Sequence, residues 1–508
     1  MNEKPQTKKL GRLPPRPAVF WGALLALLVV PGLEAGEARR LSLDESIRLA
    51  FQSSRAASGI RARYETTKSQ AEAGIARLET TVNLRGTAPS YSESLVSQFN
   101  PISQRFEYYQ TKQKTIEGGL SIDRPLASTG GTLSFFGGVV ARDQTSGAEG
   151  SSGTTRDRYG SAVLELRQPL FSVNRVRIEW EKLNITIDRA EADRRGQLAA
   201  LVYEVTAAWF GLFQLERERD IAEEQVRQSE ESRETANNKF HAGLIPEVEV
   251  LQSESDLAAS RSDLVAREGA AERAKNSFRH LVGFPDDEPF ELEGTVEYKK
   301  IPIPDPRRPE RMALEHRTEI QSARYAIRIR EHERELVHAA TGLKLDLDLS
   351  YGYSNHDESF RGVIENPGRS RVAALTLSIP LYDGGASRLE RLAAEIQVQD
   401  AILEEADVKR RIREEVANLL SRIRTAESRI EVLEKSVAVA QKSYDISVER
   451  FKSGIITRND LFLSQQRLTS AKTSALGALI EYRLSMADLR KSTFWDPETD
   501  RDTLQSLP

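Results

Sequence analysis

The chain has 508 residues, 39% of them hydrophobic and 29% charged, enough apolar content to bury a large core. Its net charge of -4 comes from interleaved acids and bases, which speaks against a nucleic-acid partner. The absence of Cys excludes disulfides, thiolate metal sites and a lipid-modified N-terminal Cys.

Lys4, Lys8, Lys9, Arg12 and Arg16 precede an uncharged run from Ala18 to Val30, followed by small residues around Ala35 and Ala38. This order predicts a signal peptide over 1–38 and hence a secreted protein. The apolar run is shorter than the roughly 20 residues a spanning helix needs. No other stretch reads as apolar enough to cross a membrane as a helix, so membrane insertion would require strands.

The mature chain is read as two structural repeats, 39–283 and 310–496, with a Pro-rich linker over 284–309 and a tail over 497–508. Ser42 and Glu45 have the spacing of a capping box, opening a helix over 42–78. Its counterpart covers 310–341. Period-two alternation then marks strands within 79–171 and 343–382. Leu343, Leu345, Leu347, Leu349, Tyr351 and Tyr353 alternate with polar residues and glycine, and Ala373, Leu375 and Leu377 return. Four strands are expected in the first repeat and two in the second. Each is about 10 residues long, the length that crosses a bilayer when tilted. A soluble sheet with one solvated face gives the same alternation. If every strand enters one barrel, a trimer has 18 strands rather than 12; otherwise the Gly-rich stretch from Thr129 to Arg142 folds back outside the membrane.

Long helices follow over 172–240 and 385–451. In the second, Val416, Leu419, Ile423, Ala426, Ile430, Leu433, Val437, Ala440, Tyr444, Ser447 and Phe451 alternate steps of three and four, a heptad seam. Each long helix ends in a related turn, Phe240-His241-Ala242-Gly243-Leu244-Ile245-Pro246 and Phe451-Lys452-Ser453-Gly454-Ile455-Ile456-Thr457. The tips 241–246 and 452–457 lead into shorter helices over 247–283 and 458–494. The offset between the turns is 211, and it also carries Pro169-Leu170-Phe171 onto Pro380-Leu381-Tyr382 without a gap. This is an internal duplication. A short helix and an opening helix together match one long helix, which predicts rods of about 100 Å at 1.5 Å per residue.

The opening Leu41-Ser42-Leu43-Asp44-Glu45-Ser46-Ile47-Arg48-Leu49-Ala50, the segment His316-Arg317-Thr318-Glu319-Ile320, the Gln-Pro-Leu and Ile-Pro-Leu strand ends and both Phe-x-x-Gly-Leu/Ile tips resemble the TolC-like outer-membrane efflux protein family. The resemblance implies an α+β membrane protein: a transmembrane β-barrel completed by a homotrimer in outer-membrane lipid, continued by a long periplasmic α-helical coiled-coil barrel. It implies a passive duct for efflux or type I secretion, opened by a periplasmic adaptor (membrane fusion protein) and energised by an inner-membrane transporter. The matching tip residues are Phe240, Gly243, Leu244, Phe451, Gly454 and Ile455. Asp460 and Glu249 match acids of the periplasmic mouth, while Leu463 stands where some members carry a second acid.

The six His residues have no metal-ligand spacing, and no phosphate loop or nucleophile elbow is present. No enzyme, cofactor or metal is expected. The competing reading is a soluble periplasmic coiled-coil adaptor or scaffold.

Overall fold

The computed structural model describes residues 39–100, 103–146, 153–286, 288–294, 296–302, 307–365, 367–499 and 501–502. The expected signal segment 1–38 lies outside the described residues, as do parts of the 284–309 linker and the 497–508 tail. In chain order the elements are β1 (Arg39–Leu41), α1 (Leu43–Ser53), α2 (Arg55–Arg77), β2 (Thr81–Asn100), β3 (Arg105–Pro125), β4 (Thr132–Ser146), β5 (Gly153–Leu170), α3 (Arg175–His241) and α4 (Glu247–Val282). The second half holds β6 (Phe290–Leu292), α5 (Arg307–His316), α6 (Thr318–Ala340), β7 (Lys344–Asp357), α7 (Phe360–Glu365), β8 (Gly368–Ser378), α8 (Ala386–Lys452), α9 (Arg458–Thr493), β9 (Trp495–Asp496) and β10 (Arg501–Asp502).

The duplication is carried into the helices residue for residue. Both α3 and α8 have 67 residues, α4 and α9 have 36, and all their ends differ by the same offset of 211. Long and short helices pack side by side: α3 lies on α2 and α4, and α8 lies on α6 and α9. Every residue of the α8 seam is buried or half-buried, and Val416, Leu419, Ile423, Ala426 and Ile430 are within 3% of full burial. Contacts of α3 with α6 and α9 join the two rods into one body.

Several expectations need correction. The opening helix expected over 42–78 is two helices, because Ser54 leaves the helical backbone (φ -71°, ψ 145°) and its hydroxyl caps α2 by accepting from the Ala57 amide at 3.0 Å. Gly283, at φ +73°, lets the end of α4 press onto this break; a Cβ there would stand 2.6 Å from the Ser53 carbonyl oxygen. The helix expected over 310–341 is likewise broken at Arg317, whose guanidinium bridges Glu415 at 2.6 Å and Glu319 at 2.7 Å. The 284–309 linker contains β6, which pairs in parallel with β1, and the tail contributes β10, which pairs with β9. One stretch of α3 is apolar enough in composition to cross a membrane, against the reading of the sequence, and half of it is buried. Its apolarity serves the packed middle of the rods, where Leu198, Leu201, Val205, Trp209, Phe210, Leu212 and Phe213 meet Leu41, Phe278 and Phe290.

The strands form one six-stranded antiparallel sheet in the order β2-β3-β4-β5-β7-β8. β4 sits between β3 and β5, so the Thr129 to Arg142 stretch does not fold back elsewhere. The strands run 11 to 21 residues rather than about 10. The excess lies above a bulge at Thr87/Ser90, where β2 and β3 continue as a ribbon past the last β3–β4 pair, Thr111 with Ser146.

Pairing puts the alternating residues onto two distinct faces. Leu84, Leu120, Leu164, Tyr351, Leu347 and Leu375 share one face, while Asn83, Ser121, Ser134, Glu165, Asp348 and Thr376 share the other. Along β3 the apolar-side positions Phe106, Tyr108, Lys112 and Lys114 are exposed, whereas Glu107, Tyr109, Thr111 and Gln113 are partly or fully buried. The sheet therefore curls toward its polar face, as a barrel wall curls around a wet lumen.

Candidate functional site

The two tips are the sites that the sequence singled out, and both are built the same way. Gly243 and Gly454 sit in the left-handed region, at φ +72° and +77°. The Leu244 amide donates to the Lys239 carbonyl and the Ile455 amide to the Arg450 carbonyl, both at 2.9 Å. The Gly243 and Gly454 amides donate to the Phe240 and Phe451 carbonyls at 2.9 and 3.0 Å. This pair of bonds closes each long helix in a Schellman motif, which requires the positive φ that Gly supplies. The residue after each Gly is thrust outward: Leu244 is 72% and Ile455 70% exposed.

The remaining predicted residues separate. Phe240 is 36% exposed, but Phe451 is 3% exposed and packs with Tyr444, Leu461 and Leu468 in a small core of its own. Phe451 therefore packs inside the second hairpin, whereas Phe240 stands partly open at the first tip. Burial pushes the Tyr444 phenol of that core up to about 12. Asp460 is exposed and forms a capping box with Thr457: its carboxylate accepts from the Thr457 amide at 3.0 Å and hydroxyl at 2.7 Å, while the Asp460 amide donates to the Thr457 hydroxyl at 3.2 Å. The Thr457 hydroxyl, followed by the Thr457 amide, holds the Asp460 carboxyl below its ordinary value. A lowered carboxyl contributes stability that is present above its unfolded value and lost as pH falls through the folded one. Glu249 lies in the first turn of α4, whose N-cap Pro246 offers no side-chain bond. No hydrogen bond or ion pair joins Glu249 to Asp460 among the described residues.

The structure also shows a set of contacts between the two hairpins that periodicity did not reveal. The Lys239 ammonium lies 4.2 Å from the centre of the Phe451 ring and donates to the Phe451 carbonyl. Burial lowers its pKa, and the Glu249 carboxylate opposes that shift. Arg458, at the start of α9, is 8% exposed; it pairs with Asp256 on α4 and donates to the Gln252 side chain at 3.2 Å. Farther along, the Gln465 amide donates to the Gln225 carbonyl and the Ser229 hydroxyl, and Lys472 donates to both Glu224 oxygens at 2.8 Å. A sequence signal for this ladder existed. At the offset of 211, Glu247, Asp256 and Glu224 fall on Arg458, Arg467 and Lys435, so the copies carry opposite charges where they face different neighbours.

Arg458 is the most buried charged member of this ladder. Arg458→Ala is expected to speed amide exchange over 451–461 by at least tenfold, since hydrogen bonds to charged groups are worth about 1.5–3 kcal/mol. Unchanged exchange there would show that the tips do not depend on this contact.

Outside the ladder, a groove runs between α8 and α9 near the second tip. Val432, Val439 and Leu463 form its apolar floor, with Lys435 and Arg467 at its margin. Val432, Val439 and Ile446 recur every seven residues on this exposed side of α8, a second stripe beside the internal seam. On α4 the exposed Val248, Leu251 and Val265 follow Leu244 at helical spacing. No metal-holding cluster of His, Asp and Glu occurs among the described residues.

Comparison with known proteins supplies the context. The family model described as "Outer membrane efflux protein" matches residues 136–284 and 311–493. The curated protein CyaE of Bordetella pertussis (strain Tohama I) is 26% identical over 217 residues, 42% of this chain. The match spans 44% of the length of that relative. A crystal structure of CusC, from work on folding and transmembrane channel formation, superposes with a TM-score of 0.68 at 16% identity, covering 89% of this chain and 91% of the other. The outer membrane protein VceC from Vibrio cholerae gives a TM-score of 0.65 at 16% identity, covering 89% of this chain and 95% of that one. At such identity the two structures speak for the fold alone.

Proposed function

This chain belongs to the outer membrane efflux protein family, and on that premise we propose that it is the outer-membrane duct of a tripartite efflux or type I secretion system, with three copies closing one 18-stranded barrel. Its family forms trimeric outer-membrane channels with a periplasmic helical extension. The observation that carries the 18-stranded reading is the sheet itself. A six-stranded sheet falls short of the eight strands of the smallest membrane barrels, and lipid does not tolerate an unpaired edge. β2 and β8 are the free edges, and because they run in opposite directions, β8 of one copy and β2 of the next pair antiparallel, as every other pair does.

The stagger of the sheet supports the same closure. A line along the pairing through Val82 passes Ile122, Phe135, Leu164, Tyr351 and Arg371. Thr81 ends β2 one residue below that line, while Ser378 ends β8 seven residues below it. The lower border thus steps down by about 1.2 residues per pair. At about 3.3 Å per residue and 4.8 Å per strand, this is a tilt of about 40°, within the 35–45° of membrane barrels. Eighteen strands at that tilt give a backbone diameter of about 36 Å, against about 24 Å for twelve.

At the other end, Leu244 and Ile455 are apolar knobs on exposed turns, and the basic-edged groove between α8 and α9 fits a partner helix with an acidic flank. These features support docking of a periplasmic adaptor, with an inner-membrane transporter supplying the energy. The exposed stripes on α4 and α8 supply apolar faces for neighbouring copies. Protein extracted by detergent from an outer-membrane fraction is expected to have the native mass of a trimer. Recovery as a soluble monomer or dimer would favour the coiled-coil adaptor or scaffold instead.

A further inference from the structure

Around the outer edge of the apolar band, the two faces of the sheet carry different chemistry. On the face continuous with the lipid-facing surface stand the aromatic rings of Phe106, Tyr108, Tyr351 and Tyr353 and the cations of Lys114, Arg369 and Arg371. Opposite them on the same strands stand Thr111, Gln113, Thr115, Ser350, Ser354 and Ser370. Tyr109, Arg142 and Tyr159 face the other way on β3, β4 and β5, but on β7 from Leu349 to Ser354 and on β8 from Gly368 to Val372 the rings and cations stand on the outward side alone. We propose that this outward face binds the phosphorylated saccharide headgroup of an outer-leaflet glycolipid, with the cations on its phosphates and the rings against its sugars. The inference rests on the outer-membrane reading given above.

Height is the first support. Arg371 and Arg369 lie seven and nine residues above the lower end of β8 at Ser378, and Lys114 lies eleven above the lower end of β3 at Pro125. At a tilt of about 40°, each residue climbs about 2.5 Å, which puts these cations about 18–28 Å above the periplasmic border. The apolar band of a membrane barrel is about 25 Å tall, so they bracket its outer edge. Continuity with the lipid-facing surface and charge opposite to phosphate thus coincide in the same residues.

Partnering is the second. Arg371 lies 5.6 Å from the centre of the Tyr351 ring, and the Tyr351 and Tyr353 hydroxyls are 2.8 Å apart. Neither Arg369, Arg371 nor Lys114 has a carboxylate partner among the described residues. Arg158, on the same face, is instead neutralised by Asp143 at 2.8 Å. A guanidinium held against an aromatic ring keeps its charge available to an anion.

The third support is α7, which folds back onto this outer face. Val363 fills the space that a side chain at Gly160 would occupy, 2.6 Å from its Cβ position. The Asn355 amide holds the helix by donating to the Gly362 and Val363 carbonyls at 2.7 and 3.2 Å. Ile364 is left 77% and Phe360 46% exposed at a height of about 25 Å, where acyl chains meet headgroups. An apolar side chain presented there anchors in the leaflet beneath the proposed headgroup.

The test uses the full-length trimer in nanodiscs, titrated with a lipid A carrying core sugars, with phosphatidylglycerol and with phosphatidylethanolamine. The glycolipid is expected to bind at least five-fold more tightly than phosphatidylglycerol. Arg369→Gln combined with Arg371→Gln is expected to weaken it at least five-fold. The same charge loss on the polar face, Arg85→Gln with Arg167→Gln, should leave it unchanged. Equal binding of glycolipid and phosphatidylglycerol, or equal effects of the two double variants, would overturn the proposal. Native mass in the same preparation separates the two readings: an intact trimer without glycolipid preference sinks this inference alone, whereas loss of the trimer counts against the duct.

Discussion

Ile455→Asp and Gly454→Pro are each expected to reduce export at least tenfold while the protein remains in the outer membrane at normal abundance. Ile455 is 70% exposed at the end of α8 and makes no part of the core, so a carboxylate there leaves folding intact and replaces an apolar knob with a charge. A partner that buries Ile455 then has to bury an unpaired anion. Gly454 acts through the backbone. At φ +77° it cannot become Pro, whose ring fixes φ near -65°, without losing the Schellman turn and the bond from the Gly454 amide to the Phe451 carbonyl. The two substitutions therefore reach one outcome by different physical routes. Export and outer-membrane abundance measured on the same cells check them; normal export by Ile455→Asp would show that the second tip is not a docking surface.

Trp209→Ala is the largest expected loss of stability, about 3–5 kcal/mol. Trp209 is 4% exposed, lies parallel to Phe213 at 5.5 Å between ring centres, meets Phe210 edge-on at 5.2 Å and donates from Nε1 to the Leu41 carbonyl at 3.3 Å. Removing it empties the core that joins α1, α3, α4 and the β1–β6 pair, and leaves the Leu41 carbonyl without that donor. Amide exchange in α1 and β1 is expected to quicken by a hundred-fold or more, whereas the tip over 451–461 keeps its exchange rates because it is packed by a separate core. A change confined to less than about 1 kcal/mol would mean that the middle of the rods is held together elsewhere.

What the sequence made legible were the features repeated over many residues. The offset of 211 is visible without structure, and it located both tips and the ends of four helices. Strict alternation from Leu345 to Tyr353 assigned faces correctly because strand geometry has a period of two. The helix breaks at Ser54 and Arg317 were not legible, since neither involves Pro or Gly and each depends on a capping bond or an ion pair to a remote residue. Strand length was underestimated because above Ser90 the serines at 92, 94 and 97 blur the alternation. Phe451 shows the same limit at the site: its place in the duplication equals that of Phe240, yet Lys239 and α9 cover it, and only the third dimension brings them there. The apolar stretch of α3 has the composition of a span, and only its burial between the rods, half of the stretch, tells the two apart.

Imaging the detergent-extracted particle by electron cryo-microscopy counts directly how many strands close the barrel. Three-fold particles with 18 strands and a backbone diameter of about 36 Å are the predicted result. A 12-stranded trimer, with one hairpin of each copy outside the wall, would contradict the sheet-to-barrel argument, and a particle with no barrel would contradict the duct itself.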